Sequence, residues 1–122
     1  MANEVTTTIS LDYSDSDGQE LQSGTENFQR SVSTKRPYKA TQLIGTSEEA
    51  ITLGDGGTIK ELYLRNLDAT NYVEIKTGTG GVITDKLLPG EDCIHRLGSG
   101  MQAPYAIANT AAVPLLVHAV PL

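Results

Sequence analysis

Residues 58–76 decide the fold class: Thr58-Ile59-Lys60-Glu61-Leu62-Tyr63-Leu64-Arg65-Asn66, then Leu67-Asp68-Ala69-Thr70-Asn71, then Tyr72-Val73-Glu74-Ile75-Lys76. Leu62 and Leu64 fall on one side of an extended chain, Tyr63 and Arg65 on the other. Val73 and Ile75 then alternate against Tyr72, Glu74 and Lys76. Period-two alternation is the mark of a half-buried strand. Asp68 to Asn71 are turn formers, so the stretch reads as a hairpin with a loop of about four or five residues.

The same texture runs in both directions. Upstream, residues 40–44 and 50–53 read as short strands, the second closed by Gly54-Asp55-Gly56-Gly57. Downstream, Thr77-Gly78-Thr79-Gly80-Gly81 makes a turn before a strand over 82–88. Pro89-Gly90 suits the centre of a type II turn. Strands over 92–97, 103–108 and 113–120 complete the series, the last two joined by Asn109-Thr110-Ala111-Ala112. Near the start, Val5, Thr7, Ile9 and Leu11 share one face of a strand, residues 12–25 read as a polar loop or long hairpin connection, and residues 26–35 form a strand anchored by Phe28 and Val32.

Composition points the same way. Thr, Val and Ile number 29 of 122 residues, and these favour strands. Gly and Pro interrupt the chain too often for a long helix. With one Phe and no Trp, the core falls to Val, Ile, Leu and Ala. The expected fold is all-β: an antiparallel β-sandwich, jelly-roll-like, with about eight or nine strands. The expected organisation is an N-terminal strand and extended arm or long hairpin over 1–39, open to exchange with a neighbour, and a β-sandwich body over 40–122.

A net charge of −6 argues against sequence-independent nucleic-acid binding, which needs many Lys or Arg. Residues 1–11 lack the basic start and apolar run of a signal peptide. The apolar run 113–120 is too short to span a bilayer and contains Pro114 and His118. Neither a nucleic-acid nor a membrane partner is expected.

Chemistry-bearing residues are few. Cys93 is the sole cysteine, which rules out an intrachain disulfide and a thiolate cluster within one chain. Cys93 and His95 share a strand face, but strand neighbours two apart sit too far apart for the short hydrogen bond of a nucleophile–base pair. A metal bound by His95, His118 and a carboxylate would need a coincidence of fold. Glu48-Glu49 and Glu91-Asp92 are sequence neighbours whose side chains diverge in a strand, so solvated charge is the expectation. The glycine-rich turns lack a Walker lysine and a strand-to-helix setting. No catalytic residue, metal ligand or cofactor is therefore assigned.

The candidate contact residues are of three kinds. Asp12, Asp15, Asp17, Glu20 and Glu26 precede Arg30, Lys35, Arg36 and Lys39, so acids and bases occupy separate blocks. That segregation fits a solvated acidic loop followed by a basic strand edge, or an arm that pairs with charge on a neighbour. Arg30, Lys35 and Arg36 are its interface candidates. Tyr63 and Tyr72 would share a face across the expected hairpin. The apolar ending Val113-Pro-Leu-Leu-Val-His-Ala-Val-Pro-Leu122 is the kind of terminus that is tied down, in its own sheet or against a neighbour, which makes Leu122 the last candidate.

Residues 42–120 carry a further signal. The segments are Ile44-Gly45-Thr46-Ser47-Glu48-Glu49-Ala50-Ile51, Leu53-Gly54-Asp55 and Leu64-Arg65-Asn66-Leu67-Asp68-Ala69-Thr70-Asn71-Tyr72-Val73. Leu88-Pro89-Gly90-Glu91, Arg96-Leu97, Ala103-Pro104-Tyr105-Ala106 and Ala108-Asn109-Thr110-Ala111 follow. Together they resemble a group of small virion proteins encoded by tailed bacteriophages, over roughly two thirds of the chain. Asn66-Leu67-Asp68-Ala69-Thr70-Asn71 is the most specific part, and residues 12–39 carry the least likeness. The resemblance implies a non-enzymatic structural subunit with no catalytic residues to transfer. The expected role is a capsid-associated decoration protein that packs on a major capsid or other virion protein, as a homo-oligomer with a trimer as one option. A neck, head–tail junction or tail component is the alternative, and a host-surface or glycan-binding module a third. The expected location is the virion, at the capsid surface or head–tail region, after synthesis in the host cytoplasm.

Overall fold

The computed structural model describes residues 4–14, 16, 18, 20–31, 37–54, 59–97 and 103–121; side chains at 4, 5, 13, 20–23, 26–31, 60 and 121 lie outside the description. The described residues form ten strands: β1 (Glu4–Ser14), β2 (Glu20–Ser31), β3 (Tyr38–Ile44), β4 (Glu49–Ala50), β5 (Ile59–Asn66), β6 (Val73–Lys76), β7 (Ile83–Leu87), β8 (Asp92–Arg96), β9 (Tyr105–Ala108) and β10 (Val113–Pro121). The chain divides into two units, Met1–Thr34 and Lys35–Leu122.

The all-β class stands, but the single jelly-roll-like sandwich of about eight or nine strands does not. The strands make three separate antiparallel sheets, none closed or curled: β1-β2, β3-β10-β5-β8 and β4-β9-β6-β7. The physical reason is that alternation reports which side of a strand is buried and says nothing of which strand lies beside it.

In the first unit β1 pairs with β2 from Glu4 opposite Ser31 to Ser14 opposite Glu20. The strands thus claim most of the segment read as a polar loop. A ladder is held by backbone hydrogen bonds, which polar side chains do not prevent. The register shifts between Ser10 and Asp12, and the bulged side carries Gly24 at φ 68°, a conformation that costs glycine nothing.

In the second unit the inward faces of both four-stranded sheets supply one core. Ile44, Leu62, Leu64, Val113, Leu115, Val117 and Ala119 come from one sheet. Val73, Ile75, Leu87, Ala106 and Ala108 come from the other. Burial alternates along β10: Val113, Leu115, Val117 and Ala119 are buried, while Pro114, Leu116, His118 and Val120 are half-exposed.

Two local readings change. β5 and β6 are not a hairpin: β5 pairs with β10 and β8, β6 with β7 and β9. The expected strand over 50–53 shrinks to β4. Beyond it the side chain of Gln42 takes over the pairing, accepting from Thr52 N at 2.7 Å and donating to Ala50 O at 3.0 Å, while Ile51 N donates to Pro104 O at 3.1 Å. The type II reading of Pro89-Gly90 holds. Glu91 N donates to Leu88 O at 2.9 Å, with Gly90 at φ 84°.

Candidate functional site

The segment 66–71 is built as an internal brace. Asn66 ends β5 with its side chain fully buried. Its Nδ2 donates to Asn71 O and to Leu87 O, both at 2.9 Å, and its Oδ1 accepts from Asp68 N at 2.8 Å. One amide thus ties the end of β5 to its own loop and to β7 in the other sheet. Asp68 Oδ2 accepts from Thr70 N at 2.8 Å and Asn71 N at 2.5 Å. Those backbone hydrogen bonds, Asn71 first, hold the Asp68 carboxyl below its usual range. The loop's polar residues are engaged with the chain itself.

The outer face of β3-β10-β5-β8 is a different kind of surface. Register sets straight rows across it. Lys39, His118, Tyr63 and Ile94 lie side by side, and so do Thr41, Leu116, Arg65 and Asp92. The tilted Tyr63 and His118 rings have centroids 5.4 Å apart, and Tyr63 Oη donates to Asp92 Oδ2 at 2.9 Å. Burial, then that hydrogen bond, raises the Tyr63 hydroxyl above its usual pKa. Toward the end where β10 begins, the face turns apolar. Pro114 of β10 lies opposite Leu43 of β3, and Pro114 O accepts from Leu67 N at 2.9 Å. Leu43 is 66% exposed and Leu67 46%. Leu116 adjoins them in the next row, and Ile94 adds another exposed side chain, 44%, farther along the sheet.

A third cluster lies on the core-facing side of two edge strands. Asp85 of β7 is paired with Ile75; Cys93 and His95 of β8 are paired with Leu64 and Leu62. All three partners are fully buried, so the register puts a carboxylate, a thiol and an imidazole on the inward face. One ligand atom from each lies within 4.8 Å of the others. His95 Nε2 is 2.7 Å from Asp85 Oδ2, yet the contact does not meet hydrogen-bond geometry, and both buried atoms are left without a hydrogen-bond partner. Burial first, then the charges of Asp85 and Asp92, push the Cys93 thiol up to about 12. Such a thiol stays protonated at neutral pH and is no nucleophile.

The residues singled out in the sequence are thus scattered. Tyr63 stands on the outer face of one sheet, while Tyr72 precedes β6 of the other, with Lys86 Nζ 4.0 Å from its ring centre. The two do not form a shared platform. Arg30 lies in β2 opposite Val5, its side chain outside the description, and Lys35, Arg36 and Leu122 lie outside the described residues. His95 faces inward and His118 outward, so they are not joined. The glutamates expected to be merely solvated have partners. Glu48 pairs with Lys76 and accepts from Gly80 N at 2.7 Å, and the Lys76 hydrogen bond is the leading cause of its lowered pKa. Glu49 accepts from Gln42 Nε2 at 3.1 Å and Gly45 N at 3.2 Å. Sequence reading missed Asp85, although its parity with buried Leu87 placed it on the inward face of β7. No family model, curated protein or solved structure matches the chain.

Proposed function

We propose that this chain is a non-enzymatic structural subunit that packs against other protein subunits through the outer face of β3-β10-β5-β8. The observation that carries the reading is the apolar end of that face. Leu43, Pro114 and Leu67 lie side by side, with Leu116 in the adjoining row. Clustered exposed apolar side chains rimmed by polar ones are the usual composition of a protein–protein contact. Here the rim is Thr41, Arg65 and Asp92.

The setting we propose is the particle of a tailed bacteriophage, with the chain as a capsid-associated, homo-oligomeric decoration protein bound to the major shell protein. The resemblance of residues 42–120 to small phage virion proteins is what supports that setting. The separation of Tyr63 and Tyr72 removes the tyrosine platform on which a glycan-binding role would rest.

Quantitative mass spectrometry of purified particles, with electron microscopy to locate the chain, tests the setting. A copy number comparable to that of the shell protein is expected. A small ring of copies at one vertex would replace decoration with a neck or tail role. Absence from particles would overturn the virion setting.

A further inference from the structure

We infer that Asp85, Cys93 and His95 form a three-ligand site for a transition-metal dication of the zinc class, which clips the edge strands β7 and β8 together. The site goes beyond the packing role and does not depend on it.

Placement is the first argument. Strand alternation puts apolar residues on a core-facing side, and at these three positions the sequence puts polar, metal-ligating ones. They come from different sheets. β7 is the last strand of β4-β9-β6-β7, and β8 is the last strand of β3-β10-β5-β8. A shared ion would therefore join two sheet margins that are otherwise connected here by the turn over 88–91.

Geometry is the second. Ligand atoms within 4.8 Å of one another are close to a tetrahedral set. Bonds of about 2.0 Å to nitrogen and oxygen and about 2.3 Å to sulfur put neighbouring ligands roughly 3.5 Å apart. Side-chain rotations of about an ångström close that gap. Asp85 Oδ2 and His95 Nε2 are buried atoms that face each other at 2.7 Å without hydrogen-bond geometry, and a cation between them would take a lone pair from each. The side chains of Asp85 and His95 are 30% and 26% exposed, so the cluster lies near the surface.

Chemistry chooses the ion. Thiolate, imidazole and carboxylate together suit zinc, and cobalt(II) as its spectroscopic stand-in; calcium and magnesium prefer all-oxygen sites. The thiolate and carboxylate carry two negative charges, which a dication neutralises. The carboxylates of Asp85 and Asp92 beside the thiol also attract a cation. On binding, the Sγ proton leaves to solvent as the sulfur–metal bond forms.

The test is titration of the metal-free full chain with cobalt(II). One equivalent should bind, with a near-ultraviolet sulfur-to-cobalt charge-transfer band that added zinc abolishes. Cys93→Ser should lose the band. Asp85→Asn and His95→Gln should each weaken cobalt binding at least about tenfold. Because a variant at this position can also disturb packing, the unmodified chain gives a second reading. Zinc at 100-fold above its Kd should raise Tm by about 10 °C, and a chelator should reverse the shift. A wild-type chain with no band and no Tm shift overturns the site. So does a band of equal affinity in Asp85→Asn and His95→Gln, which would mean an adduct of the thiol alone.

Discussion

Asn66 shows how one side chain can set local architecture. A fully buried amide is costly unless its groups are bonded, and both sides of this one are. Its partners are the carbonyls of Asn71 and Leu87 and the amide of Asp68. Asn66→Ala would leave those backbone groups unmatched. We expect it to cost about 3 kcal/mol in urea unfolding, with the unfolding slope unchanged. A loss near that of an exposed substitution would show that water replaces the amide. The turn chemistry around Asn66 was legible from its residue types, since Asn, Asp and Thr bond to nearby backbone. The reach to Leu87 was not, because it depends on β7 passing the end of β5. Asp85 was hidden for the same reason: the partners that give it meaning, Cys93 and His95, lie on a strand of another sheet.

At the scale of elements, the sequence located the strands of the second unit better than their pairing. Seven of the segments read as strands from residue 40 onward match β5 through β9 or overlap β3 and β10, which respectively begin two residues earlier and end one residue later than read, because alternation marks a buried side directly. Two sequence-adjacent strands, β5 and β6, looked like a hairpin because the loop between them is short and rich in turn formers. Leu67 N instead bonds to Pro114, and the chain crosses to the other sheet. That crossing is held by Asp68, whose carboxylate binds two loop amides. A carboxyl whose folded pKa is lowered stabilises the fold above its unfolded value and ceases to do so as pH falls through the folded value. Asp68→Asn should therefore unfold more easily than the parent at neutral pH. The gap should narrow as pH falls below 3.8, the ordinary aspartate value. A gap independent of pH would mean that the loop does not need the charge.

At the scale of the molecule, the buried apolar cluster belongs wholly to the unit Lys35–Leu122. The unit Met1–Thr34 contributes an antiparallel pair of largely polar strands. An inward face filled by small and branched aliphatic residues explains how the body folds with so few aromatics. It does not explain the leucines left outside. Leu43 and Leu67 contribute nothing to that core, and their substitution by Lys should change stability by no more than about 0.5 kcal/mol each. Under the proposed function these two side chains meet another subunit. The most direct test uses particles assembled without this chain and then offered the purified protein. The unmodified chain should bind at a fixed copy number, while the equally folded Leu43→Lys, Leu67→Lys double variant should bind at least about tenfold more weakly. Equal uptake of the two would contradict the assignment of this face as the packing surface.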